Sequence, residues 1–462
     1  MPQSGDIRVE AFSTRFLPIQ SRIPLKFGTE VLSSVICVRV RVEVVNRMGK
    51  HAQGWGETPL SVQWVWPSKL SYSIRLQSLL EFCKFLTCRW NDYREGGHSL
   101  ELGQSLIMKD LPIALALKNR TDESENESIP WLAALVCASA FDLAIHDAYG
   151  LINGVPTYHA YGKEFLSSDL SSFLKPAPDG EVSFSGCYPS DFIIPDPPKR
   201  IPVWHLVGGM DPLDEDDLFG DEPDDGHPVH LREWIQRDGL NCLKIKLRGN
   251  DPCWDIGRII KVGTISEELG VQYLTADFNC TVTDPAYVNE ILDLLEKKHP
   301  ETYRRILYVE QPFPYDLNNN RIEVHSVSAR KPLFMDESAH DWKHICLGRE
   351  LGWTGVALKT CKTQTGAILS LCWAKAHGMD LMVQDLTNPM LAQITHVLLG
   401  AHAGTIMGVE SNSMQFYPEA SHREARVHPG LFTRKNGKLD LSTLKGNGFG
   451  YCIEEIQKDG LK

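Results

Sequence analysis

Eight short apolar runs, separated by helical or loop lengths, occupy the second half of the chain. The segments between them include amphipathic stretches that end at glycine, such as residues 230–239 (HLREWIQRDG). Eight parallel strands joined by crossover helices form a TIM-type barrel, so this pattern predicts an α/β barrel. The runs cover residues 201–209, 242–247, 273–279, 305–312, 332–338, 355–361, 381–387 and 405–412.

The first half of the chain has a different pattern. Residues 7–60 alternate between apolar and polar positions, which predicts β-strands, and GWGETPL (54–60) is predicted to close this unit with a glycine-rich turn. Residues 68–118 predict two helices with polar breaks, and the charged segment 118–128 predicts a surface loop. Because 462 residues are too many for one compact core, we expect two domains.

An almost wholly apolar segment follows this loop. Ser128 is predicted to cap a helix that has Pro130 in its first turn and ends near Gly154. Because the helix is apolar almost all round, we expect it to be buried between two layers. Three polar residues that interrupt it are expected to hydrogen-bond to a neighbouring loop: Asp142, His146 and Asp147.

Two irregular stretches flank the first barrel strand. Residues 163–200 are rich in Pro, Ser and Gly, which predicts an extended linker or insertion. The acidic loop 211–229 is long for a connection inside a compact domain. We expect it to form a solvated surface flap rather than a second metal site.

Composition narrows the class of protein. The net charge of −12 argues against nucleic acid or an anionic membrane surface as the main partner. No stretch approaches the roughly 20 apolar residues that a membrane span needs, and the first residues lack the pattern of a signal peptide. The 12 cysteines are scattered, without a CxxC pair. We therefore expect the cysteines to be buried and reduced, and reduced cysteines predict a cytoplasmic protein.

Three carboxylates end three consecutive runs: Asp277, Glu310 and Asp336. The C-terminal ends of barrel strands converge on one mouth, where like charges repel each other unless a cation compensates them. A lone carboxylate in such a position is commonplace, but three in succession predict a site for a hard cation such as Mg²⁺, with Mn²⁺ as a substitute. Three neighbouring residues are predicted to support the ligands: Asn279, Gln311 and Glu337.

Lysines accompany these carboxylates. Lys244 and Lys246 share one face of the second run, and Lys359 ends the sixth. Solvated surface lysines would require an exposed sheet edge, which a closed barrel lacks. The combination suits removal of a proton beside a carboxylate, because a divalent cation stabilises the resulting enediolate. Lys246 and Lys359 could approach opposite faces of the reacting carbon; a lysine base would need a lowered pKa.

Five motifs in this order, KIK (244–246), ADFN (276–279), VEQP (309–312), MDES (335–338) and VALKT (356–360), resemble the enolase superfamily. They are most similar to its muconate-lactonizing-enzyme subgroup within the mandelate racemase/muconate lactonizing enzyme family. The resemblance implies a modified (β/α)7β barrel at 201–414 under an α+β capping domain, formed by 1–165 and completed by 415–462, with 166–200 as an irregular linker or insertion. It also implies Mg²⁺ on Asp277, Glu310 and Asp336, with Lys246 and Lys359 as the acid/base pair and Lys244 in support.

The resemblance extends to the loops of the cap. FLPIQSRIPLKFGTE (16–30) resembles the first specificity loop, and GWGETPL the second. Arg15, Lys26, Trp55 and Trp64 lie in or near these loops and could contact substrate, although a structural or solvated position is the more common one for each of them.

The chain also departs from the family. The seventh run has no His for the dyad of the mandelate racemase subgroup, so that subgroup is disfavoured. Dipeptide epimerases of the family carry Asp-x-Asp on the eighth strand to hold the substrate's α-ammonium, whereas this chain has Glu410-Ser411-Asn412. Substrate contact therefore stays open for Glu410, and for Asp385 on the seventh run.

Several reactions fit these residues. A racemase or epimerase acting on a small-molecule carboxylate is preferred over a cycloisomerase or a syn-dehydratase, because two opposed lysines suit proton transfer on two faces. A Schiff-base lyase using Lys359 would leave the three carboxylates unexplained, and a zinc hydrolase would want imidazole ligands. A non-catalytic homologue would have lost a ligand or a lysine. The resemblance also implies a homo-oligomer.

Overall fold

The computed structural model describes residues 3–27, 30–121, 127–178 and 181–458. The predicted surface loop at 118–128 therefore lies partly outside the described residues.

An antiparallel sheet forms the centre of the N-terminal half. Its strands lie in the order β3–β2–β1–β4, and the alternation in β2 buries Val38, Val40, Val42 and Val44 completely. The predicted alternating strands are thus confirmed. The strands are β1 (Ile7–Phe27), β2 (Glu30–Asn46), β3 (His51–Pro59) and β4 (Gly96–Gly97).

Five α-helices lie among the described residues of this unit. The predicted two helices at 68–118 correspond to α2 and to a longer continuous segment, in which a π-helical stretch at Leu106–Asp110 joins α3 to α4. The helices are α1 (Val62–Val65), α2 (Tyr72–Trp90), α3 (Ser99–Ser105), α4 (Leu111–Thr121) and α5 (Trp131–Asn153).

The glycines of residues 54–60 serve packing rather than a turn, so the predicted glycine-rich turn is wrong. A Cβ atom at Gly54 would lie 2.3 Å from the carbonyl oxygen of Ala144, and one at Gly56 would lie 2.1 Å from that of Ala140. Both carbonyls belong to α5, and both glycines lie in β3. The glycines therefore let the helix backbone lie directly on the strand.

Helix α5 is the buried helix that the sequence predicted. It begins at Trp131, with Pro130 at its N-cap and no side-chain cap, so the predicted Ser128 cap is wrong. Gly154, at φ +71°, ends it, and 20 of its 23 residues are buried. Within the described part of the chain it is the one helix long and apolar enough to cross a membrane, contrary to the expectation of no such stretch. Its burial against sheet and barrel is that of a core helix.

The polar residues of α5 are hydrogen-bonded, as predicted, but most of their partners lie in other helices and strands rather than in a neighbouring loop. Asp142 accepts hydrogen bonds from the N–H and hydroxyl of Thr365, each at 2.7 Å. His146 contacts the same hydroxyl at 2.9 Å. Asp147 accepts from the N–H groups of Trp55 and Phe449, each at 2.9 Å. These bonds fasten the capping unit to the barrel and to the C-terminal segment.

Eight parallel strands form the barrel, in the order β11–β10–β9–β8–β7–β6–β5–β12, and each predicted run corresponds to one of them. The N–H of Ile406 donates to the carbonyl of Leu381 at 2.9 Å and so links the two ends of this order. The predicted α/β barrel under an α+β cap is confirmed. The strands are β5 (Arg200–Val207), β6 (Cys242–Lys246), β7 (Tyr273–Asp277), β8 (Ile306–Glu310), β9 (Leu333–Met335), β10 (Gly355–Leu358), β11 (Asp380–Val383) and β12 (Val409–Glu410).

Helices on the outside of the barrel connect these strands. Several begin at a capping side chain and end at a left-handed glycine, as α6 does between His230 and Gly239. They are α6 (Leu231–Asp238), α7 (Pro252–Leu269), α8 (Pro285–Lys298), α9 (Pro300–Arg305), α10 (His325–Ser328), α11 (Trp342–Leu351), α12 (Gln364–Ala376) and α13 (Met390–Ala403).

The described residues of 163–200 are irregular and packed against the barrel. Leu170, Leu174 and Phe184 are buried against the barrel core. The indole N–H of Trp373 donates to the carbonyl of Lys175 at 2.9 Å, which holds the segment on α12.

The acidic loop 211–229 lies folded on the surface and is tied to the cap. The Arg22 guanidinium of β1 donates to both carboxylate oxygens of Asp225 and to the carbonyls of His227 and Pro228. Lys261 of α7 contacts Asp217 at 2.9 Å. The loop therefore connects the tip region of the β1–β2 hairpin to the barrel.

The C-terminal segment joins the two units. Arg39 of β2 forms a buried ion pair with Glu57 of β3 and contacts Glu424 of the segment at 3.2 Å. Strand β13 (Lys438–Asp440) pairs with β5 of the barrel. The short helices of this segment are α14 (Ser413–Phe416), α15 (His422–Val427), α16 (Pro429–Phe432) and α17 (Ile453–Gln457).

Candidate active site at the barrel mouth

Three neighbouring strands bring the predicted carboxylates to one end of the barrel. Asp277 ends β7, Glu310 ends β8, and the two residues are paired directly across the strands. Asp336 follows the last residue of β9. All three are at most 1% exposed. The site therefore holds three carboxyl groups in a low-dielectric environment.

The predicted lysines lie against these carboxylates. Lys246 Nζ is 2.5 Å from an oxygen of Asp277. Lys244 Nζ is 2.5 Å from Glu310 and 3.2 Å from Asp277. Lys359 Nζ, on the other side, is 2.9 Å from Asp336. All the predicted lysines are buried and paired, so none is a solvated surface residue.

The charges of the site do not balance. Six buried carboxyl groups face four buried ammonium groups, which leaves a surplus of two negative charges when all are ionised. Within the described ranges, no group of three or more His, Cys, Asp or Glu side chains is arranged to hold a metal ion, because the ammonium groups occupy the space between the carboxylates. The donor set itself, hard oxygens with a double negative surplus, fits a divalent cation. The six carboxyl groups belong to Asp277, Glu310, Asp336, Glu337, Asp385 and Glu410, and the four ammonium groups to Lys244, Lys246, Lys359 and Lys362.

The pKa values reflect this crowding. Burial opposes ionisation of Asp277, but the charges of Lys246 and Lys244 outweigh it and lower the pKa of this carboxyl. Burial raises the pKa of Glu310 well above its ordinary value, and the neighbouring carboxylates add to the effect. Burial disfavours the Lys359 ammonium, yet Asp336 outweighs it and raises the lysine pKa. The lowered pKa that a lysine base requires is therefore not present while Asp336 holds Lys359.

Two of the residues predicted to support the ligands, Asn279 and Gln311, contact Asp277 and Asp336, whereas the Glu337 side chain bonds to Asn279 and Trp64. Gln311 Oε1 accepts hydrogen bonds from the N–H of Asp336 at 2.7 Å and from the N–H of Ser338 at 3.2 Å. The N–H of Asn279 donates to Asp277 at 2.9 Å, and its side-chain amide donates to Glu337 at 3.2 Å. Asn279 and Gln311 have φ angles of +46° and +31°. Such backbone is costly and clusters at functional sites.

Glu410 and Asp385 are engaged within the protein. One oxygen of Glu410 accepts from Lys244 at 3.2 Å and from the N–H of Asp385 at 3.0 Å, and the other accepts from the amide of Asn412 at 2.8 Å. The Asp385 carboxylate accepts from the N–H groups of Asn388 and Asn412. Both residues line the site, but their oxygens already have donors.

Two further residues of the site escaped the sequence reasoning. Lys362 contacts the carbonyl and, at 3.3 Å, the carboxylate of Asp336. Gln384 connects Lys244, at 3.3 Å, with Glu310, at 2.8 Å. The K-x-x-K spacing at the end of the sixth run was a signal for Lys362, because one helical turn after Lys359 places the two lysine side chains on the same side of the backbone. Gln384 gave no such signal.

The cap closes over these residues. A cavity of about 40 Å³ lies between Lys246, Lys359 and the hairpin residue Phe27. This is room for a few water molecules, so a substrate needs the cap loops to move. Trp64 of α1 lies over Lys359, with 4.7 Å from the ring centre to Nζ, and donates its indole N–H to Glu337. The predicted substrate contacts Lys26 and Trp55 are not among the described residues that line this cavity.

A capped parallel barrel with carboxylates on three consecutive strand ends and lysines on the second and sixth defines a class of protein. Residues 229–456 match the family model described as "Enolase C-terminal domain-like". Residues 229–456, just under half of the chain, therefore belong to this enolase-like domain family, and the resemblance that the motifs of the barrel carry is confirmed there.

Individual relatives agree with this assignment. An aromatic dipeptide epimerase of Herpetosiphon aurantiacus is 24% identical over 253 residues, which cover 54% of this chain and 66% of that protein. The match thus spans slightly under two thirds of that relative.

Solved structures share the fold along nearly the whole chain. The dipeptide epimerase of Enterococcus faecalis, complexed with Mg and the dipeptide L-Leu-L-Tyr, superposes with a TM-score of 0.60 at 16% identity and covers 96% of this chain and 99% of its own. The muconate lactonizing enzyme of Pseudomonas fluorescens, complexed with muconolactone, gives a TM-score of 0.56 at 14% identity, with 96% and 95% covered. Mg²⁺ is therefore bound within the superfamily.

Proposed function

We propose that this protein is an enzyme that moves the α-proton of a small-molecule carboxylate, and that it is a racemase or epimerase. The observation that carries the proposal is the position of two buried lysines in one cavity. Lys246 ends β6 and Lys359 follows β10, four strands apart in the order of eight. A carbon held between them would present one face to each ammonium group.

Asp277, Glu310 and Asp336 would hold the metal ion, which we propose to be Mg²⁺ with Mn²⁺ as a substitute. The ion would supply Lewis-acid stabilisation of the charge that develops on the substrate carboxylate. Its two positive charges would compensate the two surplus carboxylates of the site. Lys246 would then be released from Asp277, and Lys359 from Asp336.

The lysines of this chain would divide the proton transfer. One of Lys246 and Lys359 removes the α-proton, and the other delivers a proton to the opposite face. Lys244 stays between Glu310 and Glu410, so it holds a ligand in place and keeps a positive charge close to the reacting carboxylate. Gln384, bonded to both Lys244 and Glu310, fixes this arrangement.

The eighth strand argues against a free α-ammonium in the substrate. Both oxygens of Glu410 have donors within the protein, and Asn412 is uncharged. A second candidate, cycloisomerisation, shares the same metal-stabilised intermediate and fits the superfamily's muconate lactonizing enzymes. We rank it second because it needs a lysine on one face only. A cytoplasmic location and a homo-oligomeric state stay predictions.

The test is deuterium incorporation from D₂O, followed by mass spectrometry on a library of chiral carboxylates with Mg²⁺ or with EDTA. A two-base racemase loses racemisation in both Lys246→Ala and Lys359→Ala, while each variant still exchanges the α-proton of one enantiomer only. Lys297→Ala removes an exposed lysine of α8 and should match the wild type.

The outcomes separate the candidate functions. If only one lysine matters and no racemisation occurs, the cycloisomerase is favoured. Metal-independent exchange would refute the proposal, and covalent trapping of Lys359 by borohydride would favour a Schiff-base lyase.

A further inference from the structure

The floor and the roof of the catalytic cavity differ in chemistry. Every ionisable side chain among the described lining residues comes from the barrel, whereas the cap contributes Leu25, Phe27, Leu32, Ser61 and Trp64. The part of a substrate that points away from the metal ligands would meet this roof. The ionisable lining residues are Lys244, Lys246, Asp336, Lys359, Asp385 and Glu410.

The roof is mostly apolar and offers few hydrogen-bonding groups. Leu25 and Leu32 are 4% and 3% exposed and face each other across the β1–β2 hairpin. The indole N–H of Trp64 is already used by Glu337, at 2.9 Å. On the barrel side, Leu206 and Leu386 continue the apolar wall.

The acidic groups of the floor already have donors within the protein. Asp336 contacts Lys359 at 2.9 Å and Lys362 at 3.3 Å. Asp385 and Glu410 accept hydrogen bonds from backbone and side-chain donors of the protein. A cationic group on the substrate would therefore lose its hydration and would have to compete with these donors for a carboxylate, which is costly.

We infer that the substrate is a carboxylate whose remaining part is uncharged and apolar. The inference rests on the proposed function, because that function places the carboxylate at the lysines and metal ligands. The apolar remainder would then lie under Leu25, Phe27 and Trp64, where burial of each methylene favours binding. A second carboxylate or an ammonium group at that position would be rejected.

Three matched ligands test this inference on the wild-type protein: hexanoate, hexanedioate and 6-aminohexanoate. They share one carboxylate and a six-carbon chain and differ in the far end, which is a methyl, a carboxylate or an ammonium group. Titration calorimetry in saturating Mg²⁺ should give hexanoate a Kd at least about tenfold lower than either charged ligand. Equal or tighter binding of a charged ligand would overturn the inference, and so would hexanoate binding no better than acetate.

A pair of variants tests the position of the roof. Phe27→Arg places a guanidinium over the cavity and should reverse the order in favour of hexanedioate. Val31→Arg adds the same charge to the same hairpin at a side chain that is 43% exposed, and should keep the wild-type order. Equal shifts in both variants would refute a direct contact. Circular dichroism checks that both variants fold, and the wild-type titrations stand without them.

These experiments can refute the inference about the substrate and the proposed function independently of each other. Selective binding of hexanoate without deuterium incorporation into any chiral apolar carboxylate would refute the proposed function and leave the binding preference established. Incorporation into charged carboxylates, with hexanoate bound no better than acetate, would support the proposed function and refute the inference about the substrate.

Discussion

The position of Asp336 depends on one buried amide, and its removal should be measurable. Gln311 is fully buried, and its Oε1 accepts from the N–H of Asp336 at 2.7 Å, the N–H of Ser338 at 3.2 Å and the hydroxyl of Ser338 at 2.7 Å. Gln311→Leu keeps the volume but leaves two buried N–H groups without an acceptor. Each such group costs about 1–3 kcal/mol, so the strand end should lose roughly 2–6 kcal/mol of local stability.

Hydrogen–deuterium exchange of peptides covering 333–340 measures this loss. A decrease of about 2 kcal/mol corresponds to roughly 30-fold faster exchange. The affinity for Mg²⁺, measured by calorimetry, should also fall, because Asp336 is no longer held in place. Gln272→Leu changes an exposed glutamine and should stay within about 0.5 kcal/mol of the wild type. Unchanged protection in Gln311→Leu would refute the reasoning.

Three other predictions concern stability. Gly56→Ala should lower the free energy of unfolding by about 1–3 kcal/mol, because its Cβ would lie 2.1 Å from a helix carbonyl oxygen. Gly257→Ala has open space at its Cβ and should raise the free energy of unfolding by about 0.5–1 kcal/mol. Equal shifts of Tm in the two variants would contradict this prediction. Burial raises the pKa of Asp147 to about 7 from an ordinary 3.8, so between these pH values the folded state binds more protons than the unfolded chain. The free energy of unfolding should therefore fall as the pH rises from about 4 to about 7. The slope of Tm against pH over this range should be shallower in Asp147→Asn. Arg22→Ala should speed proteolysis of the acidic loop 211–229. Asp225→Asn should speed it less, because the hydrogen bonds from Arg22 to the carbonyls of His227 and Pro228 remain. Unchanged cleavage in Arg22→Ala would show that Arg22 does not hold the loop in place.

Much of the barrel and its carboxylates could be predicted because each depends on local pattern. A short apolar run bounded by turn residues fits a strand that is buried on both faces, and a carboxylate that ends such a run lies at the strand's C-terminal end. Asp277, Glu310 and Asp336 followed from that rule. Lys244 and Lys246 followed from the period of two along one strand.

Other features depended on contacts between distant parts of the chain. A segment with glycines at 54 and 56 reads like a turn in the sequence. Only the position of α5, some 90 residues later, shows that these glycines let a helix backbone pack directly on the strand. Gln384 follows β11, and only the closure of the barrel brings its side chain close to Lys244 of β6. Trp55 was named as a possible substrate contact, but it is not among the described residues that line the cavity, and its backbone N–H bonds to Asp147 of the core helix.

The sequence by itself determined the fold class, the strand ends and the chemical types gathered there, because these depend on hydrophobic period and on chain direction through a parallel barrel. The tertiary structure decided which charges neutralise each other: Lys246 with Asp277, Lys359 with Asp336, and Glu410 with Lys244. It also decided that the cap covers the charged floor with apolar side chains. Such pairings arise between strands and domains, where side-chain reach and the exclusion of water determine the partners.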